Sequence, residues 1–104
     1  MDERRRLPRA NLMLSVFVSV QGIQLHASTL DLSADGMSVL MFRSLPPGTQ
    51  CEVELRWKTN GQFDFVYANA TVLHSTPAPE GGFRMGLAFQ GLDERSRVMV
   101  SVLA

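Results

Sequence analysis

Residues 11 to 20 alternate without a break, with Leu12, Leu14, Val16, Val18 and Val20 on one side and Asn11, Met13, Ser15, Phe17 and Ser19 on the other. A period of two built from aliphatic and β-branched residues predicts a strand with one face in a core. Gln21-Gly22 signals a turn, and a second strand is expected over Ile23–Leu32, with Ile23, Leu25 and Ala27 on one face. Asp31-Leu32-Ser33-Ala34-Asp35-Gly36 then supplies turn chemistry, since Asp and Ser cap their own backbone and Gly accepts positive φ. Further strands are predicted over residues 37–42, 52–58, 63–74 and 83–89. Leu45-Pro46-Pro47-Gly48 forces a loop, Asn60-Gly61 marks a hairpin, and residues 75–82 read as a second loop. Gly86, inside the last strand, marks a bulge or the close approach of another backbone.

The tail changes character. Asp93 suits an N-cap, Glu94 a first helical turn, and Val98 and Val102 stand i, i+4, so a short helix closes the chain. Six strands and one helix predict an all-β fold: a small six-stranded antiparallel β-barrel with a short C-terminal α-helix and a flexible N-terminal arm. The 104 residues make one domain, with the arm over 1–10, the barrel over 11–90 and the helix over 93–103.

At 45% apolar and 19% charged residues the composition is globular. No apolar run approaches the roughly 20 residues needed to cross a bilayer, and none resembles a signal peptide. A lone cysteine, Cys51, cannot form an internal disulfide. The expected location is therefore the cytoplasm, without membrane insertion. The apolar end Val102-Leu103-Ala104 is what a module cut from a longer chain would show.

Net charge is zero, but Arg4, Arg5, Arg6 and Arg9 crowd the first nine positions against Asp2 and Glu3, leaving the remainder at −2. A basic arm on a slightly acidic body points to one local anionic partner, not to a surface that tracks DNA or RNA. Single-strand binders need aromatic platforms along a basic groove. Here core packing is the expected role of most aromatics, and cations away from the arm are sparse.

No catalytic constellation is present, so an enzyme is not expected. His26 and His74 have no Cys, Asp or Glu at ligand spacing, Cys51 has no evident base, and no glycine-rich loop opens a helix to cradle a triphosphate. Neither metal nor cofactor is implied.

Two short segments carry chemistry. Arg5-Arg6-Leu7-Pro8-Arg9 places arginines in an R-x-x-x-R spacing ahead of the first strand. Guanidinium forks fit phosphates or the O6 and N7 acceptors of guanine, and their planes stack on purines. A solvated basic terminus would account for the same residues. The D-x-S-x-x-G segment Asp31 to Gly36 offers a carboxylate matched to the adjacent N1–H and N2 donors of guanine, a hydroxyl at Ser33, and close backbone approach at Gly36. An ordinary Asx-type turn would account for these.

Together, and in this order, the two segments resemble the PilZ family, in which an R-x-x-x-R arm and a [D/N]-x-S-x-x-G turn form a cyclic di-GMP site. Thr29-Leu30, Gly36-Met37-Ser38-Val39 and Phe83-Arg84-Met85-Gly86-Leu87-Ala88-Phe89 extend the likeness over nearly the whole chain. The resemblance implies that Arg5 and Arg9 hold guanine edges and phosphates, that Asp31 and Ser33 hold a guanine, and that Gly36 shapes the turn. It places Arg4 where the family decides between one ligand and a stacked pair, and a long cation there favours the pair. It further implies a switch: ligand orders the arm and alters the surface offered to a partner protein or an adjacent domain. A PilZ-like protein–protein adaptor without nucleotide binding is the alternative, against which stand the intact motif residues. Downstream pathway and self-association are not written in the sequence.

Overall fold

The computed structural model describes residues 14–103. Its elements are β1 (Leu14–Val20), β2 (Ile23–Leu32), β3 (Gly36–Met41), β4 (Gln50–Thr59), β5 (Gln62–Pro77), β6 (Phe83–Gln90) and α1 (Glu94–Leu103). The strands pair antiparallel into a closed barrel ordered β1-β2-β3-β6-β5-β4, in which β4 returns to β1. The ring of pairings is closed, although residues 23–27 of β2 and 62–68 of β5 extend beyond their β3 and β6 partners. The expected six-stranded barrel with its trailing helix is what the chain forms. The arm expected over residues 1–10 lies outside the described residues.

Alternation builds the interior. Val16, Val18, Val39, Leu55, Val72 and Met85, contributed by five different strands, are at most 1% exposed. Each such burial contributes about 1.5–3 kcal/mol relative to exposure. Two hairpins are set by their turn residues. Gln21 and Gly22 have φ of 51° and 81°, Asn60 and Gly61 have 52° and 81°. Two consecutive positive φ values are the mark of the type I′ turn, whose twist matches that of the strands it joins.

The barrel is regular on one side and irregular on the other. β4 and β5 pair from Gln50↔Thr71 to Thr59↔Gln62 without a register shift, and β1 runs evenly against both neighbours. The β2–β3 register, in contrast, shifts between Thr29 and Asp31, and the β5–β6 register between Val72 and His74. Leu30 and Leu73 are the extra residues of two β-bulges, and both are exposed, at 38% and 58%. Each bulge resets the inside–outside alternation. Odd positions of β2 face inward as far as Thr29; beyond Leu30 it is Leu32 that is buried and Asp31 that is exposed. Even positions of β5 face inward as far as Val72; beyond Leu73, His74 is exposed.

Asp93 caps α1, its Oδ1 accepting the Ser96 N–H at 2.7 Å, and the Arg97 N–H donates to the Asp93 carbonyl at 2.9 Å. The helix packs on β5 through a stripe of Ser96, Val100 and Leu103, all buried. The valines whose spacing signals the helix lie on its open side: Val98 is 56% and Val102 78% exposed.

Three expectations are corrected. β5 runs on through Ser75, Thr76 and Pro77, where a loop was expected, because these residues pair with Met85, Arg84 and Phe83. Proline ends the strand, where its missing N–H leaves no interior ladder bond unmade. The aromatics are not mostly core. Trp57 is buried, but Phe42, Phe63, Phe65 and Tyr67 are exposed. The three on β5 occupy odd, outward positions alternating with Val66, and Arg56 and Lys58 from β4 lie over the rings of Phe17 and Phe63. Finally, of the two readings of Gly86 the bulge holds, since Gly86 stands opposite the Leu73 bulge of β5, but what approaches it closely is a side chain, not a backbone, as described below.

Candidate functional site

The D-x-S-x-x-G segment spans the β2–β3 connection, with Asp31 and Leu32 ending β2 and Gly36 opening β3. Ser33 closes the turn: its N–H donates to the Gly36 carbonyl at 2.9 Å, and its hydroxyl oxygen accepts from the Asp35 N–H at 3.3 Å. The Asp35 carbonyl accepts from the Phe89 N–H at 2.9 Å, which fastens the turn to β6. Asp31 Oδ1 accepts the Leu32 N–H at 2.9 Å. Oδ2 has no partner among the described residues.

Of the two reasons expected for Gly36, close backbone approach holds and a left-handed φ does not. Its φ is not positive, so the turn makes no left-handed demand on it. A Cβ at this position would instead fall inside the van der Waals shell of the Leu87 carbonyl oxygen and crowd the Ala88 Cα at 3.2 Å. The glycine lets β3 and β6 approach closely enough for the Gly36↔Ala88 pair to form.

These residues line a cleft of about 300 Å³ on the outer wall, together with Ser38, Leu73, His74, Gly86 and Ala88. The register puts four of the lining residues in one transverse row: Asp31 pairs with Ser38, Ser38 with Gly86, and Gly86 with His74. With strands about 4.8 Å apart, the row from Asp31 to His74 spans about 14 Å. His74 is thus a member of the site that the sequence reading set aside as an ordinary strand histidine. The only trace of it in the sequence is Gly86.

Electrostatically the described part of the cleft is acidic, since Asp31 and Asp35 line it and no lysine or arginine does. Arg84, next along β6, is engaged with Glu80 at 3.3 Å. A carboxylate suits the paired N–H donors of a guanine edge, but a phosphate in this cleft must find its cations elsewhere. Arg4, Arg5 and Arg9 lie outside the described residues. Ser15 pairs with Ser28, so β1 starts at the end of the barrel where, three residues on, β2 presents Asp31.

A larger depression, about 860 Å³, lies on the wall near the β1–β2 hairpin and is lined by Ser19, Gln24, Gln50, Glu52, Asn69 and Gln90 among others. It holds none of the residues singled out by motif. Cys51 is buried, its Sγ 3.6 Å from the Ala70 carbonyl, and burial pushes its thiol pKa up, as for an inert core thiol. Among the described residues no three of His, Cys, Asp and Glu gather to hold a metal ion, and no helix is long and apolar enough to cross a membrane.

No curated protein matches the chain. Among solved structures, that of the Bacillus subtilis inhibitor of motility, MotI/DgrA, is similar with a TM-score of 0.74 at 16% identity. The likeness covers 84% of this chain but only 43% of that one, and it is a likeness of fold. The PilZ domain matches residues 3–103, arginine segment and turn included, and the chain therefore belongs to the PilZ family, whose members are ligand-binding and adaptor modules.

Proposed function

We propose that this protein is a cyclic di-GMP receptor, in which Asp31 and Ser33 hold a guanine while Arg5 and Arg9 meet guanine edges and phosphates. One observation carries the reading: the Leu30 bulge turns Asp31 outward into a cleft with Ser33 and Gly36, at the end of the barrel where β1 begins. Four residues lie between Arg9 and Leu14, and the five steps reach at most about 18 Å, which is enough to bring guanidinium groups to the turn. The acidic cleft makes these arginines indispensable, because two carboxylates alone would repel a dianionic ligand. Arg4 adds a further cation and favours a stacked pair of ligands over one.

Capture of the ligand fixes the arm against the barrel, and the altered surface is what a partner protein or an adjacent domain reads. The protein acts in the cytoplasm, where the second messenger is found. Motility, exopolysaccharide synthesis and transcription are the outputs to examine, motility first, since the fold relative is named an inhibitor of it.

Calorimetric titration with cyclic di-GMP, alongside cyclic di-AMP and GTP, tests the reading. Selective, saturable binding that Arg5→Ala/Arg9→Ala and Asp31→Ala each lose is the expected result, with a stoichiometry near two per chain for a stacked pair. Absence of heat and of thermal stabilisation well above micromolar ligand rejects the receptor and leaves the adaptor reading in its place.

A further inference from the structure

We infer that His74 is a ligand-contacting residue of the cleft, a stacking platform for a guanine base, held in place by the missing side chain of Gly86. The inference rests on the receptor reading above and extends it to a residue outside both motifs. Three observations carry it. First, His74 stands outside only because of a bulge. Even positions of β5 line the core as far as Val72, and the extra residue Leu73 turns His74 onto the wall. The Leu30 bulge does the same for Asp31 on β2. The two reversals lie at the two ends of the same row, and both bring a polar side chain into the same cleft.

Second, the imidazole occupies the space that any Cβ at position 86 would need. Cε1 and Cδ2 lie 2.9 and 3.0 Å from that point, and Nε2 nearer still. The ring is thus laid across the backbone of β6, with one side supported and the other turned toward the cleft. Third, the ring makes no hydrogen bond, ion pair or aromatic pair among the described residues, whereas His26 packs edge-on against Phe17 at 5.3 Å. A supported aromatic surface with an open side, about 14 Å across the row from a carboxylate suited to guanine, fits a ligand that carries two purines. Base stacking on such a ring is sequence-tolerant and needs no proton from it, so the role belongs to the ring's shape and π-face.

Titration of the full chain with cyclic di-GMP decides the matter, using His74→Ala, His74→Phe and Asp31→Ala beside the wild type. His74→Ala should bind between about 5- and 150-fold more weakly, the range expected for loss of one base–aromatic stack. His74→Phe should stay within about threefold of wild type, because phenylalanine keeps the π-face and loses only the nitrogens. In the wild type, the Hε1 and Hδ2 resonances of His74 should move upfield on saturation, as ring currents of an overlying purine require. Unaltered affinity in His74→Ala, with Asp31→Ala inactive, overturns this inference alone and leaves the receptor standing. Equal weakness of His74→Phe and His74→Ala overturns the platform and makes the contact a polar one. A wild-type chain that binds no cyclic di-GMP overturns both readings.

Discussion

The two sides of the barrel wall obey different rules. Where β4 meets β5, ten consecutive pairs run without a shift, and every inward side chain is at an odd position of β4. Where β2 meets β3 and β5 meets β6, one extra residue interrupts each strand, and inside and outside exchange beyond it. The regular side is what an alternating sequence builds if nothing intervenes. The irregular side spends two exposed leucines, Leu30 and Leu73, on reversing the pattern, and every motif residue of the described cleft lies there. Regularity serves stability here, and the breaks in it serve the site.

The largest effect should come from removing a break. Deleting Leu30 lets Thr29, Asp31 and Leu32 pair in unbroken alternation with Val39, Ser38 and Met37, so Asp31 stays outward and Leu32 inward while the local bend and twist of the bulge are lost. We expect a cooperative thermal transition by circular dichroism to survive the deletion and cyclic di-GMP binding to be weakened, because the carboxylate is re-aimed. Leu30→Ser, which keeps the bulge, should melt within about 0.5 kcal/mol of wild type and bind as it does. A deletion variant that binds as tightly as wild type would break the account of the bulge.

On the regular side the corresponding loss is one of packing. Leu55 is fully buried, and Leu55→Ala should cost about 2–5 kcal/mol in urea unfolding without altering the affinity for cyclic di-GMP of the fraction that remains folded. A pair of glycines sharpens the contrast further. Gly36→Ala forces a methyl against the Leu87 carbonyl and should cost about 1–3 kcal/mol and weaken ligand binding. Gly61→Ala meets no atom within 4 Å and strains only a φ of +81°, so about 1–2 kcal/mol is expected with binding unchanged.

The smallest effect lies at the helix, apart from both walls. The Ser96 N–H donating to Asp93 holds that carboxyl below its ordinary value of 3.8. A pKa depressed in the folded state means that the cap stabilises the fold above the unfolded value and that this contribution is lost as pH falls through the folded one. Asp93→Ala should therefore lower the melting temperature slightly at pH 7, and the difference from wild type should fade in acid below about pH 3.8. A difference that persists undiminished at pH 2 would assign the effect to packing instead.

Much of this was legible in the chain. Local rules carried the strand count, the turns at Gln21-Gly22 and Asn60-Gly61, the cap at Asp93 and the D-x-S-x-x-G turn, because each depends on residues adjacent in sequence. Pairing of the two motifs carried the family, and the match over residues 3–103 agrees. Harder to read were features that depend on a neighbour far along the chain. Ser75 to Pro77 look like loop until β6 lies beside them, and Val98 and Val102 look like a buried pair until the helix chooses another face for β5.

The site divides in the same way. Which residue types could meet a guanine or a phosphate was decided by the sequence, since hydrogen-bonding capacity and charge belong to the side chain itself. Where they point was decided by the tertiary structure. A bulge is defined only by the strand it fails to match, so a single sequence cannot show that Asp31 and His74 turn outward. Nor can it show that the glycine at 86 is empty for the sake of a ring twelve residues earlier. Closure of the barrel brings four strands into one row, and that row, not any stretch of the chain, holds Asp31, Ser38, Gly86 and His74 together.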